Sequence, residues 1–233
     1  MTDLHTHILP RMDDGSGSVA ESLALLEREA AQGVDTVVLT PHFYREREPA
    51  PRFLARRQAA LEALEEARPP GGPALVLGAE VAWFPSLHHE ERLEELCLGG
   101  TRQLLLELPF QPWTPLVLNQ VYGFYGATGV TPVFAHVERY LSIQDRARID
   151  DLISMGFPMQ MNADSLLSLR SRGKCLGLLR RGRWYVASDC HNLTARPPRL
   201  GQAAALLRRK LGRETADRLL SWRAHTEKEA MAP

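Results

Sequence analysis

The sequence predicts an α/β fold in which parallel strands alternate with helices and close, or nearly close, into a distorted barrel of about seven βα units. Three observations predict it. Short apolar β-like runs alternate with stretches whose apolar residues recur near 3.6 spacing. Strand followed by helix, repeated, is the pattern of a parallel sheet. Six of the runs end at His, Asp or Glu. A barrel gathers the C-terminal ends of its strands on one rim, whereas an open doubly wound sheet brings together only the few ends near its switch point. Six contributing ends therefore favour the barrel.

Run 1–4 leads into His5-Thr6-His7, and residues i and i+2 of a strand share a face, so both imidazoles can address one ion. Residues 19–32 then read as a helix. Run 36–39 leads to His42 and is followed by a helix at 53–67; run 74–77 leads to Glu80 and a helix at 87–98. Run 104–106 leads to Glu107. Run 132–135 ends at His136 before a helix at 146–155, and run 184–188 ends at Asp189-Cys190-His191 before a helix at 200–211. His-x-His alone is also what two exposed polar residues beside a turn look like; its repetition by ligand-type residues at later strand ends changes the balance.

The 233 residues suit one barrel-like unit, 1–233, with a sizeable core. The Pro/Gly clusters at 68–73 and 196–198 are short and read as turns. A formal net charge of +0 argues against a broad nucleic-acid surface. Arg45, Arg47, Arg52, Arg56 and Arg57 form a local cluster interleaved with Glu46 and Glu48: a solvated loop and helix face, or, more sharply, a docking surface for an anionic substrate. No run has the unbroken apolar length of a membrane span and no signal-peptide pattern opens the chain, so a cytoplasmic protein is expected.

Cys97, Cys175 and Cys190 show no CxxC spacing, which suits a reducing compartment. Cys190 through Arg196 matches Cys-x5-Arg, the phosphate loop of cysteine-dependent tyrosine phosphatases. That loop wraps phosphate with backbone N–H groups, usually with glycine present, in a field that keeps the thiolate ionised. Here no glycine intervenes and Asp189 precedes the thiol, so Cys190 reads as a small buried residue behind the site.

Taken together, His5-x-His7, Leu9-Pro10 with Asp13-Asp14-Gly15, Thr40-Pro41-His42, Gly78-Ala79-Glu80 and Leu106-Glu107 form one ordered set of motifs. Ala135-His136-x-Glu138-Arg139-Tyr140, Asn162-Ala163-x-Ser165-Leu166 and Ser188-Asp189-x-His191-Asn192 with Arg196-Pro197-Pro198 complete it. The set resembles the PHP-type bacterial protein-tyrosine phosphatases of the capsule and exopolysaccharide (CpsB/CapC) group, over nearly the whole chain. Three positions depart from it: Val137 stands where the family usually has proline, and Arg11 and Asp164 where it usually has glycine.

The resemblance implies a TIM-barrel-like PHP fold and a site for three cations, manganese first, with iron or zinc as alternatives. It implies that His5, His7, Glu80 and Asp189 hold one ion, that Glu80, Glu107 and His136 hold a second, and that Asp14, His42 and His191 hold the third. Asp14 is expected as a ligand and Asp13 as a capping or supporting group, although Asp-Asp-Gly is also an ordinary turn. The donor set itself, imidazole and carboxylate without thiolate, favours manganese, iron or zinc over calcium or magnesium. His88, His89 and His225 are expected on the surface.

Arg139 and Arg196 match family arginines that bind phosphate, and a guanidinium fork suits two phosphate oxygens; structural pairing of either with Glu138 or another carboxylate is the competing role. The expected reaction is attack of a metal-bridging hydroxide on phosphotyrosine, with the tail of a polysaccharide-assembly tyrosine kinase as the implied partner. A phenol with pKa of roughly 10 leaves without strong general-acid help. Trp83, Phe84, Phe110, Trp113 and Tyr140 either line a pocket for the tyrosine ring or cover the barrel edge. The alternatives are a PHP phosphatase or phosphodiesterase acting on a small phosphorylated metabolite, such as histidinol phosphate, and a kinase-binding scaffold with a decayed site.

Overall fold

The computed structural model describes residues 1–222; His225 lies outside them. Its strands are β1 (Thr2–Thr6), β2 (Thr36–Leu39), β3 (His42–Phe43), β4 (Ala74–Leu77), β5 (Glu80–Ala82), β6 (Gln103–Glu107), β7 (Thr131–Phe134), β8 (Pro158–Asn162) and β9 (Arg183–Ala187). Every pairing is parallel, in two sheets ordered β1-β2-β4 and β3-β5-β6-β7-β8-β9.

The chain itself joins the sheets. β2 runs into β3 through Thr40-Pro41 and β4 into β5 through Gly78-Ala79, and the pairing carries across: Gly78 N donates to Leu39 O at 2.9 Å and Glu80 N to Pro41 O at 3.1 Å. Pro41 has no N–H to give the ladder, so the strand breaks there. At Gly78 a Cβ would stand 2.7 Å from Leu98 Cδ2 and 3.3 Å from Thr40 Cγ2, so Leu98 and Thr40 close over a point where any side chain would have to displace them. On the other side Asp189 N donates to His5 O and His7 N to Cys190 O, both at 2.9 Å, around an isolated parallel bridge between Thr6 and Cys190.

Helix ends follow local chemistry. α1 (Val19–Ala31) starts at Ser18, whose hydroxyl accepts Glu21 N at 3.2 Å, while Glu21 reaches back to Gly17 N at 3.0 Å. α2 (Ala50–Ala67) begins three residues before the predicted start because Pro51 is tolerated in a first turn. Residues 87–98 are not one helix. They form a 3₁₀ turn at Leu87–His89, a single turn α3 (Leu93–Leu96) and a second 3₁₀ turn at Leu98–Gly100. Ser86 in the left-handed region and extended Glu90 break the path, while Leu87, Leu93 and Leu96 still bury themselves and so mimic helical spacing.

α4 (Pro115–Thr128) was absent from the sequence pattern because it carries apolar residues all round: Val117, Val121 and Phe124 are buried, Leu116 and Tyr122 exposed. Thr114 caps it at Val117 N and Pro115 opens it. α5 (Arg146–Ser154) is capped by Asp145, accepting Arg148 N at 2.9 Å. α6 (Ala163–Leu167), α7 (Arg172–Leu178), α8 (Leu200–Leu211) and α9 (Arg213–Leu219) complete the order. No helix among the described residues is long and apolar enough to cross a membrane.

Two apolar clusters hold the elements. The larger packs helices onto strands, with Leu25, Phe53 and Leu207 against Leu39, Phe43 and Val186. The smaller joins residues of several strands to one another: Leu4, Val38, Leu105, Val133 and Tyr185, with Trp222 tied to Gln103 Oε1 at 2.9 Å. Arg57 belongs to this framework rather than to a solvated face. It is buried, donating to Gly78 O at 2.7 Å and Glu95 O at 3.0 Å, so it leaves the basic cluster predicted around it.

Candidate metal centre

β1 contains an extra residue relative to β2, the register shifting between Asp3 and Thr6. Such a shift re-aims side chains: Leu4 joins the strand-to-strand cluster while the adjacent His5 points into a polar site at the strand ends. There His5 Nε2 lies 3.1 Å from His7 Nε2 and 3.1 Å from Glu80 Oε2. Asp189 Oδ1 is 3.5 Å from His5 Nε2 and 3.4 Å from His7 Nε2. His136 Nε2 stands 2.8 Å from Glu80 Oε1 and 3.2 Å from Glu107 Oε1.

The cluster continues toward solvent. His42 turns Nδ1 to Glu80 Oε2 at 3.0 Å and Nε2 to Asp14 Oδ1 at 3.6 Å, and His191 Nε2 approaches the same Asp14 oxygen at 3.4 Å. Donor atoms fall into three mutually close groups: His7, Asp14, His42 and His191; His5, His7 and Glu80; His42, Glu80 and Glu107. All nine sequence-predicted metal-binding residues are thus brought together. The grouping differs from the expected one: His7 joins the outer set, His42 stands in the Glu80–Glu107 set in place of the expected His136, and Asp189 falls outside the His5–His7–Glu80 set. All but His42 and Asp14 are buried, and Asp14 is 66% exposed.

Several buried atoms here, Glu80 Oε2, His42 Nδ1, His136 Nδ1, Asp189 Oδ1 and His191 Nε2, lack a hydrogen bond within the protein. Orphaned buried polar atoms are costly. Four carboxylates and five imidazoles converging in this way fit cations, which would pair with the inward-facing atoms.

The electrostatics agree. Burial alone would raise Glu80, yet the His5 and His42 imidazoles and the His136 hydrogen bond hold it well below the ordinary carboxylate range. Against burial, hydrogen bonds to Glu107 and Glu80 push His136 up to about 9. Burial, and then repulsion from His7, lower His191 to about 4.

Two members occupy strained backbone: His136 at φ 32° and Asp189 at φ 54°. Left-handed non-glycine residues cost about 1–3 kcal/mol each and concentrate at functional sites. Arg11, at φ 59° on the loop leading to Asp13, adopts the conformation glycine favours.

Supporting groups fix the rings. Asp13 Oδ2 is 2.7 Å from His7 Nδ1 and accepts His42 N at 2.8 Å, the supporting role expected for it. The sequence reading missed Gln160. Its Oε1 accepts His136 N at 2.7 Å and lies 3.0 Å from His5 Nδ1; its amide donates to Asn162, which in turn donates to Asp189 Oδ2 at 2.7 Å. The only signal for it was the neighbouring Asn162-Ala163 motif, because Pro158–Asn162 contains no β-branched or aromatic residue to mark it as a strand.

Arg196 and Arg139 flank the rim. Arg196 Nη2 meets Asp189 Oδ2 at 2.7 Å and Arg139 Nη1 comes within 4.0 Å of it. Arg139 lies over the Phe110 ring at 4.6 Å, and Phe110 stacks on His136 at 5.5 Å. Glu138 is engaged elsewhere, by Asn162 N and the Ser165 hydroxyl, so it does not pair with Arg139.

Of the rim aromatics, Phe110 is 44% exposed, whereas Tyr140 and Trp113 are core residues; the Tyr140 hydroxyl is tied to Leu108 N and O, both at 2.9 Å. Trp83 and Phe84 pack against the larger cluster. His88 and His89 are exposed, as expected. Cys190 is fully buried, and burial followed by the Glu29 and Asp3 charges pushes its thiol well up, the opposite of a nucleophile's environment. Asp164 pairs with Arg199 at 3.4 Å.

Comparisons with known proteins converge on one family. The family model described as capsular polysaccharide synthesis, CpsB/CapC, matches residues 1–226. The chain is 30% identical over 233 residues to tyrosine-protein phosphatase CpsB of Streptococcus agalactiae serotype III (strain NEM316), covering 94% of each chain. It is 30% identical over 224 residues to tyrosine-protein phosphatase YwqE of Bacillus subtilis (strain 168), covering 92% of this chain and 86% of that one. A solved structure from work on YwqE of Bacillus subtilis and CpsB of Streptococcus pneumoniae, described as unique metal-dependent tyrosine phosphatases, superposes with a TM-score of 0.75 at 26% identity. It covers 93% of this chain and 90% of that one.

Proposed function

Because the chain belongs to the CpsB/CapC family of capsular polysaccharide synthesis, we propose that it is a metal-dependent protein-tyrosine phosphatase that regulates polysaccharide synthesis. The observation that carries this reading is the convergence of nine His, Asp and Glu side chains from six strand ends, with two arginines beside Asp189 at the rim. Residues 1–233 act as one unit. The same reading takes the two sheets as parts of one distorted barrel. Supporting this, β2–β3 and β4–β5 each follow one interrupted path, reducing nine segments to seven, and Thr6 bridges to Cys190.

His5, His7, Asp14, His42, Glu80, Glu107, His136, Asp189 and His191 would hold the cations, three in number and manganese by preference, with iron or zinc compatible with the donors. When bound, these ions would activate water near neutral pH and neutralise phosphoryl oxygens. Arg196 and Arg139 offer guanidinium groups to the phosphate from the rim, Arg196 held in place by Asp189 and Arg139 by the Phe110 face. Phe110, half exposed beside His136, offers the uncovered part of its apolar surface to the substrate's phenyl group. The substrate is a phosphotyrosine protein in the cytoplasm, with the tail of a polysaccharide-assembly tyrosine kinase as the proposed source.

Turnover of a phosphotyrosine peptide, histidinol phosphate and a phosphodiester by the manganese-loaded protein tests this. Preference for the peptide is expected; negligible peptide turnover beside efficient hydrolysis of either other compound would replace the reading with a small-metabolite enzyme. Loss of turnover in His136→Ala with folding retained would remove the scaffold alternative.

A further inference from the structure

Beyond Arg139 and Arg196, the Asp164–Arg199 pair is self-compensating. Where β3 leads into α2, Tyr44, Arg47, Glu48, Arg52 and Arg56 line a cavity of about 320 Å³ that reaches Asp13 and His42.

These arginines exceed the acid available to them. Glu48 pairs with Arg56 and lies 3.8 Å from Arg52 Nε. Arg56 is further fixed by the carbonyls of Arg11, at 3.3 Å, and Met12, at 3.1 Å. Arg47 lies over the Tyr44 ring at 4.1 Å. Among the described residues no carboxylate comes within ion-pair distance of Arg47 or of Arg11, and Arg52 is 74% exposed. Tyr44 itself packs on His42 with ring centroids 5.1 Å apart, so the shelf is joined to the metal centre by one aromatic contact. A guanidinium held on a ring or between carbonyls loses less freedom when it captures a carboxylate than a free one does.

Resting on the phosphatase reading above, we propose that this shelf binds carboxylate side chains flanking the phosphotyrosine, so that the substrate class is an acidic phosphotyrosine peptide running from the metal centre past Tyr44. Arg47 and Arg52 would select it, adding affinity through charge complementarity at an exposed site.

The test uses full-length, manganese-loaded protein and two phosphotyrosine peptides of equal length, one with Asp and Glu beside the phosphotyrosine and one with Asn and Gln there. The kcat/KM ratio, acidic over neutral, is expected near fivefold at low salt, to arise in KM, and to shrink toward one as salt screens exposed charges. Arg47→Ala with Arg52→Ala should bring the ratio to about one. A wild-type ratio of one, or a ratio that survives in the double variant, overturns the proposal.

Fluorescence anisotropy of the labelled peptides reads the shelf independently of turnover. Preferential binding of the acidic peptide without hydrolysis would leave the shelf standing and remove the phosphatase reading; hydrolysis of both peptides without preference would do the reverse. Binding to phosphatidylglycerol vesicles through Arg47 and Arg52, with no discrimination between peptides, would overturn it in favour of a membrane surface.

Discussion

Asp13 Oδ2 sits 2.7 Å from His7 Nδ1 and also accepts the His42 backbone N–H at 2.8 Å, so one carboxylate orients two imidazole-bearing residues from different strand ends. With Nδ1 engaged, His7 Nε2 faces Glu80 and Asp189. Burial would raise Asp13, but the His7 charge and hydrogen bond hold it well below the ordinary range. Removal of such a supporting group typically costs 10- to 100-fold in metal affinity or activity. Asp13→Ala should therefore lose roughly 10- to 100-fold in manganese affinity, read by calorimetric titration of metal-free protein. Wild-type affinity in this variant would mean that the His7 ring needs no such partner.

Gly15 closes the same loop. A Cβ there would stand 2.2 Å from His7 O and 2.5 Å from His7 Cβ, backbone and near-backbone atoms that cannot swing aside. Overpacking of this kind costs about 1–3 kcal/mol or more. Gly15→Ala should destabilise the protein by at least about 1 kcal/mol in urea unfolding and weaken manganese binding together with it, because relief of the clash displaces His7.

Gln160 ties β8 to β1 of the other sheet through His5 and to the end of neighbouring β7 through His136. Gln160→Met keeps the volume but leaves the buried His136 N–H without an acceptor, at about 1–3 kcal/mol. The urea midpoint should fall accordingly in metal-free protein. An unchanged midpoint would show that water or a backbone shift restores the bond.

How much of this was legible follows from these residues. Most of the metal-facing set could be read because its members stand at or just beyond the ends of apolar runs, and backbone direction places such ends together; Asp14, in an Asp-Asp-Gly loop, was expected only from the family resemblance. Gln160 could not, since the alternation in Pro-Met-Gln-Met-Asn is short and has no β-branched or aromatic residue to mark a strand, and its polar residue is explained only by two histidines distant in sequence. Nor could the role of Arg57: from sequence it was one more arginine on a basic helix, and only the course of β4 into β5 brings the Gly78 carbonyl to it. The helix predicted at 87–98 failed for a related reason, as separated turns can bury Leu87, Leu93 and Leu96 on one side without hydrogen-bonding continuously.

Removal of metal should act on stability as well as chemistry. A cation that binds the native state alone adds about 2.7 kcal/mol at a hundred times its dissociation constant. At about 2–4 °C per kcal/mol for a chain of this size, chelation should lower Tm by roughly 5–10 °C while abolishing turnover. Cys190→Ser, by contrast, should keep turnover in metal, since its thiol is buried and held protonated. Loss of activity in that variant with normal metal content would reopen thiol chemistry.

Behind the centre, Glu29 of α1 and Asp3 of β1 are both fully buried. Asp3 accepts Ser188 N at 3.0 Å, and the Cys190 thiol donates to Glu29 Oε1 at 3.7 Å. Burial, and then the Asp3 charge beside it, push Glu29 well above its ordinary 4.5. Folding thus holds a proton that the unfolded chain releases above pH 4.5, so in this range the native state binds more protons and stability falls as pH rises. The contribution is fully present below 4.5 and is lost as pH passes through the raised native value. Glu29→Gln imitates the protonated carboxyl at every pH. In chelated protein its urea midpoint should lie close to wild type at about pH 4 and pull progressively above it toward pH 8 or so. A difference between the two proteins that stays constant across this range would mean that Glu29 titrates alike in the folded and unfolded chains.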